Sequence, residues 1–357
     1  MTGLYVPRHK CTCHFVTPHA LEGAARAGVD EARVALLSGS QARAKRASMI
    51  EKLDVKQFAT AIAGTTTAGN KGAREVYDSN NTRKQRKKLV RKEGDTAASG
   101  DPAVDEVFES AKIVRDYYKK KLGRNSIDDK GLKLILNVHY GTKYMNAFWD
   151  GDEMTFGDGD GDIFVSFTKS IDVIAHELAH GVTQFTAGLE YFSQSGALNE
   201  HFSDVFGSAI QQYALGQDAG QADWLIGDEI MGPTLFGESL RYMGEPGTAY
   251  DNKLLGKDPQ PAHMKDYFAG PEDNQGVHIN SGIPNKAFYL VAMAIGTDDA
   301  ALIWYEGLKK LWPTARFNDA VNALVQAAQE LQRDKKVRPA ATQTVRSAFR
   351  EVGLPAA

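Results

Sequence analysis

His176-Glu177-Leu178-Ala179-His180 sets two imidazoles four residues apart, with a carboxylate beside the first. On a helix, residues four apart are separated by about 40° around the axis, so both rings can face one ion. Glu177 lies on the neighbouring face, close enough to reach a water on that ion. Ile171, Ile174, Ala175, Leu178 and Val182 recur at helical spacing as a separate apolar stripe. Asp172 suits the positive end of the same helix. Composition alone produces H-E-x-x-H in a chain like this with a probability of about 1%.

A second segment follows, Gly196-Ala197-Leu198-Asn199-Glu200-His201-Phe202-Ser203-Asp204. Its apolar positions 198, 202, 205 and 206 are again helical, and Glu200 and Asp204 share one side. A carboxylate from here can complete a His/His/Glu zinc site and leave one coordination position open for water. Asp204 and Asn199 can hold the free ring nitrogens of the two histidines, fixing tautomer and orientation. Bound zinc lowers the pKa of its water towards 7 and polarises a carbonyl, and Glu177 is suited to accept that water's proton and return it. The chemistry is metal-assisted hydrolysis.

With 19 residues between His180 and Glu200, the two motifs resemble those of the thermolysin family of zinc metallopeptidases. Further blocks resemble that family in the same order: Asn146-Ala147-Phe148-Trp149, Gly157-Asp158-Gly159-Asp160-Gly161, Ala187-Gly188-Leu189-Glu190-Tyr191 and Gly276-Val277-His278-Ile279-Asn280-Ser281-Gly282. The resemblance covers roughly residues 75 to 357. It implies one zinc on His176, His180 and Glu200, Glu177 as the general base, and His278 and Tyr191 as stabilisers of the oxyanion. Asp273 corresponds to the carboxylate that orients His278. Asn146, Ala147 and Trp149 match the segment that holds the substrate backbone, and Arg241 matches an arginine binding a substrate carbonyl. Phe164, Phe167, Val173 and Leu240 would line the pocket for the residue after the scissile bond, which implies a preference for large apolar residues there. The family's calcium positions are matched at Asp172, Asp223 and Asp228, but Gln211 and Leu225 stand where two glutamates are usual. Fewer carboxylates weaken binding of a hard cation, so one calcium stays open and the double site is disfavoured. Asp158-Gly-Asp-Gly-Asp162 is no EF-hand, because Lys169 occupies the twelfth position, where a bidentate Glu is required.

The elements that must position these groups divide a chain of 357 residues, a length of about two domains at roughly 150 residues each. With 42% hydrophobic and 24% charged residues, the composition is globular. No apolar run approaches the roughly 18 residues a membrane helix needs, so no membrane partner is expected. Helical spacing marks 102–122, with Asp101 as its cap, and Leu132–His139 alternates as a strand. From Ile171 onward helix dominates, ending in 300–312, 318–333 and 341–352. The expected fold class is α+β and thermolysin-like: residues 50–188 form a β-rich N-terminal domain carrying the zinc-binding helix, residues 189–357 an α-helical C-terminal domain, with the zinc cleft between them.

Net charge is −3, but residues 1–93 hold 18 Lys/Arg against 8 Asp/Glu. Seven of the ten residues from Arg83 to Lys92 are basic. With no accompanying nucleic-acid motif and an acidic chain overall, this stretch is read as a solvated hairpin face or a site for the acidic half, and no nucleic-acid partner is expected. Cys11 and Cys13, the only cysteines, are too poorly placed to bridge each other.

Residues 1–49 are the expected appendage. Cys13-His14-Phe15-Val16-Thr17-Pro18-His19-Ala20-Leu21 resembles the short leader of the protealysin branch, which usually has two consecutive prolines where this chain has Thr17-Pro18. The resemblance implies a short inhibitory propeptide covering the cleft, removed near Arg46 to Met49. Cys11, Cys13 or His14 could supply a soft ligand to the open zinc position in such a zymogen. The start lacks the apolar core of a conventional secretory signal, so the expectation is export by a non-classical route, with cytoplasmic retention as the alternative. The function expected is cleavage of internal bonds in peptides or proteins. An exopeptidase would need a site for a terminal amine, which is not recognisable. A zinc-containing scaffold would need neither Glu177 nor His278.

Overall fold

The computed structural model describes residues 13–39 and 72–356. Cys11 and the expected cleavage region at Arg46 to Met49 lie outside them. The described chain opens with a two-residue strand, β1 (Cys13–His14), then helix α1 (Pro18–Arg26) and helix α2 (residues 30–39). Thr17 caps α1, its hydroxyl accepting from the Ala20 N–H at 3.2 Å, and Pro18 sits where a missing N–H costs nothing. Strands β2 (Arg74–Asp78) and β3 (Lys88–Lys92) follow, then the long helix α3 (Pro102–Leu122). The Asp101 carboxylate caps α3 by accepting from Ala103 N–H, and left-handed Gly123 ends it. Next come β4 (Leu134–Val138), β5 (Ala147–Trp149) and β6 (Met154–Phe156).

These strands form one sheet in the order β1-β5-β6-β4-β2-β3. β2, β4 and β6 run parallel, while β5 is antiparallel to β6 and β3 to β2. The basic stretch ends in β3, an edge strand whose lysines discourage further pairing. Arg91 turns back to Asp105 and Glu109 on α3, each at 2.8 Å. The opposite edge is β1, so the appendage supplies the strand that covers β5.

Two buried helices carry the chemistry, α4 (Ile171–Gln184) and α5 (Ser193–Leu215). Gly207 allows their close approach: a Cβ there would lie 3.1 Å from Asp172 O and 3.6 Å from His176 Cβ. Short strands β7 (Leu225–Ile226) and β8 (Arg241–Tyr242) pair with each other, as do β9 (Asp251–Asn252) and β10 (Gly256–Lys257). α6 (Glu272–Asn280), interrupted by a left-handed turn over residues 273–276, leads into α7 (Gly282–Ile295), α8 (Thr297–Leu308), α9 (Phe317–Arg333) and α10 (Ala341–Glu351). The whole is a mixed α+β fold, sheet first and helices second. Among the described residues no helix is long and apolar enough to cross a membrane.

Candidate active site

α4 presents His176 and His180 on one face, with their Nε2 atoms 3.1 Å apart. Glu200, from α5, brings its carboxylate oxygens to 3.4 Å from His176 Nε2 and 3.5 Å from His180 Nε2. Ligand atoms about 2.0 Å from a tetrahedral zinc are about 3.3 Å from one another, so this spacing fits the ion. Among the described residues, this is the group of three His, Cys, Asp or Glu side chains whose ligand atoms converge. All three are buried, and Glu200 Oε2 has no hydrogen-bond partner there. A buried, unpartnered carboxylate oxygen facing two imidazoles calls for a cation. Burial opposes ionisation of Glu200, yet His278, His180 and His176 together hold its carboxyl well below the usual range.

The outer ring nitrogens are engaged as zinc ligation requires. His176 Nδ1–H donates to Asp204 Oδ1 at 2.9 Å, and His180 Nδ1–H is shared by Asn199 Oδ1 at 2.8 Å and Ser203 Oγ at 3.0 Å. That fixes the tautomer with each Nε2 lone pair directed at the metal position.

Glu177 is buried beside this group. Its Oε2 accepts from the Trp149 N–H at 2.8 Å, and its Oε1 has no hydrogen-bond partner. Burial pushes the carboxyl up to about 8, against the opposing pull of His176. Across the cleft, His278 Nε2 lies 3.0 Å from the Tyr191 hydroxyl, which also donates to Glu200 Oε1. His278 Nδ1 bonds Asp273 Oδ1 at 2.6 Å, and its backbone N–H donates to Asp273 Oδ2 at 2.7 Å. Burial disfavours the imidazolium, but Asp273 and Glu200 outweigh it and raise His278 to about 9. Four consecutive residues, Asp273 to Gly276, hold φ between 52° and 77°. This left-handed turn swings the Asp273 carboxylate back onto His278, at a cost of roughly 1–2 kcal/mol per non-glycine residue.

The leader runs through this cleft. β1 pairs antiparallel with β5, Cys13 opposite Trp149 and His14 opposite Phe148. The His14 carbonyl oxygen accepts from His278 Nε2 at 3.0 Å, and the Phe15 N–H donates to Ala147 O at 3.1 Å. Arg241 Nη1 donates to the Phe15 carbonyl at 3.2 Å, and Val16 N–H donates to Asn146 Oδ1 at 2.9 Å. Phe15 meets His176 edge-on, with ring centroids 5.1 Å apart. A Cβ on Gly227 would lie 2.8 Å from Phe15 and 3.4 Å from Leu240, so both line the same recess. Phe164, Phe167 and Val173 are fully buried in the core, and the two phenylalanine rings pack on each other.

Each remaining expectation has a definite position. Neither Cys13 nor the His14 side chain belongs to the metal-binding group, and the His14 backbone carbonyl lies on His278 instead. Asp172, Asp223 and Asp228 do not form a convergent ligand group. Asp172 spends its oxygens on Ser170 Oγ and the N–H groups of Val173 and Gly227. Burial, with Asp172 and Asp223 nearby, pushes the Asp228 carboxyl up to about 6, and its buried Oδ1 has no hydrogen-bond partner; no calcium is assigned to the three. Sequence reasoning missed Phe15, although an aromatic residue between His14 and Val16 is the natural occupant of an apolar recess. It also missed Asn285, which donates to Asp204 Oδ2 at 2.9 Å and carried no local signal.

Residues 44–184 match the family description "Thermolysin metallopeptidase, catalytic domain", and residues 187–354 match "Thermolysin metallopeptidase, alpha-helical domain". The chain belongs to the thermolysin family. A solved relative in this family, a precursor of protealysin from Serratia proteamaculans, superposes with a TM-score of 0.82 at 43% identity. The match covers 96% of this chain and 99% of that one. An extracellular metalloprotease of Pectobacterium carotovorum subsp. carotovorum is 54% identical over 238 residues, 66% of this chain and 68% of that protein. Thermolysin of Alicyclobacillus acidocaldarius is 40% identical over 268 residues, 72% of this chain but only 46% of that protein. The thermolysin-family zinc site in this chain is thus complete in its ligands, and the protein is a zinc metallopeptidase of protealysin type.

Proposed function

We propose that this chain is an endopeptidase made as a latent precursor, cleaving internal peptide bonds before large apolar residues. One observation carries the reading: an extended backbone lies antiparallel to β5 with an aromatic side chain beside Leu240 and a carbonyl on His278. Zinc held by His176, His180 and Glu200 would act as a Lewis acid on the scissile carbonyl and lower the pKa of bound water. Asn146, Ala147 and Arg241 pin the substrate backbone on both sides of the scissile bond. Trp149 N–H fixes one oxygen of Glu177, which leaves the other to take the proton of the attacking water and pass it to the departing amine. His278 and Tyr191 donate to the oxygen on which charge develops, each contributing about 3 kcal/mol of barrier lowering. The leader, seated where substrate must lie, keeps the precursor latent.

Export is the compartment this reading favours, supported by the name of the Pectobacterium relative. The substrate preference is tested with internally quenched peptides blocked at both ends, carrying Phe, Leu, Gly or Asp after the scissile bond. Cleavage before Phe and Leu alone supports the proposal. Uniform cleavage, or a need for a free amino terminus, overturns it.

A further inference from the structure

The leader makes, in order, the contacts that a peptide bond about to be hydrolysed needs. The carbonyl oxygen of His14 is on the oxyanion donor His278, at 3.0 Å. The amide nitrogen of the same peptide unit, Phe15 N, donates to Ala147 O at 3.1 Å. The following carbonyl is on Arg241, whose guanidinium also lies 4.8 Å from the Phe15 ring centroid. The next residue, Val16, is held by both ends of the Asn146 amide, at 2.9 and 3.3 Å. Glu177 hangs from Trp149 N–H, on the strand residue that pairs with Cys13. An inhibitor that merely blocked access would need none of this register.

We infer that the His14–Phe15 peptide bond is a cleavage site for the chain's own active site, an inference that rests on the endopeptidase reading. Water oxygen bonds to the His14 carbonyl carbon and the bond to Phe15 nitrogen breaks. One proton of the water travels through Glu177 to that nitrogen and the second ends on the new amine, leaving a His14 carboxylate and a new ammonium terminus at Phe15. The two sides of the cut are held very differently. Residues 13 and 14 are attached through a two-residue strand. The chain after Phe15 is anchored by buried Val16, Ala20, Leu21, Ala24, Ala32 and Ala35. The cut therefore leaves Phe15 seated in its recess, so the clipped chain stays latent until the rest of the leader is removed.

Full-length zinc-loaded protein is followed by intact mass and amino-terminal sequencing at two concentrations tenfold apart, beside Glu177→Gln and Phe15→Gly. Casein hydrolysis by the chain after leader removal is measured in parallel. The expected result is a chain beginning at Phe15, formed at a rate unchanged by dilution and absent in Glu177→Gln. Phe15→Gly, which empties the recess, should slow the cut by about tenfold or more. A 14–15 bond that stays intact in preparations that go on to hydrolyse casein overturns the inference and leaves the endopeptidase reading standing. A rate that rises with concentration overturns cleavage within one chain. A chain that neither hydrolyses casein nor cuts itself overturns both.

Discussion

Asp204 and Arg241 form a buried ion pair, with Nε and Nη2 of the arginine each 2.9 Å from the carboxylate. The same carboxylate receives the Nδ1–H of His176 and the amide of Asn285. One side chain therefore orients a metal ligand and the arginine that grips the carbonyl after the scissile bond. Both partners are essentially inaccessible to water, so neither can lose the other cheaply.

Asp204→Asn should consequently fail in two assays at once. Loss of the charged acceptor should weaken zinc binding by about 10–100-fold in a chelator competition. The uncompensated Arg241 charge should lower unfolding stability by roughly 3–5 kcal/mol in urea. A variant that loses zinc affinity at unchanged stability would contradict the shared role.

Glu177→Gln separates chemistry from metal binding. The isosteric amide keeps the fold and the three ligands, so zinc content by mass spectrometry should stay at one ion per chain. Turnover of casein by the leader-free enzyme should fall by about 10²–10⁴-fold, the scale of general-base catalysis. Retained turnover would remove Glu177 from the mechanism.

Gly23 controls how closely the leader docks. A Cβ there would lie 2.4 Å from Leu255 O and 2.8 Å from Leu254 O, backbone atoms that cannot swing aside. Gly23→Ala should push α1 off the body and shorten the lag before casein hydrolysis begins. An unchanged lag would show that α1 does not hold the leader in place.

His139 supplies a pH dependence remote from the metal group. Its Nδ1 lies 2.9 Å from Asp158 and its Nε2 2.9 Å from Asp101, the cap of α3. Asp158 is the main cause of a pKa raised to about 9, with burial opposing and Asp101 adding to the rise. A raised folded-state pKa stabilises below the unfolded value of about 6.5 and loses that contribution as pH climbs through about 9. Urea midpoints of the native chain and of His139→Gln should therefore differ at pH 6 and converge near pH 10. A gap that persists at pH 10 would mean the clamp acts by packing rather than charge.

How much of this was legible in the sequence depended on how local the cause was. The helix over 102–122 announced itself through apolar spacing and Asp101, and its observed limits are Pro102–Leu122. The three zinc ligands lie in two short motifs on adjacent helices; helical spacing paired the two histidines, and the family resemblance singled out Glu200 as the third. The strand of the leader was not legible, because two residues carry no periodicity and β1 exists only through pairing with β5. A zinc ligand was sought in the soft side chains around Cys13, whereas the described strand sets its His14 carbonyl on His278. The left-handed turn at Asp273 was equally invisible: Asp and Asn tolerate that conformation, but only the fold demands it.

The central claim is that zinc and Glu177 act on peptide bonds in a cleft that the leader closes. Adding zinc to the metal-free full-length chain, then following casein hydrolysis against the mass of the chain, tests it most directly. The account predicts no hydrolysis until the whole leader has been lost from the amino terminus, a cut before Phe15 alone being silent, then chelator-sensitive turnover that Glu177→Gln never develops. Full turnover by chains whose leader is still intact would contradict it.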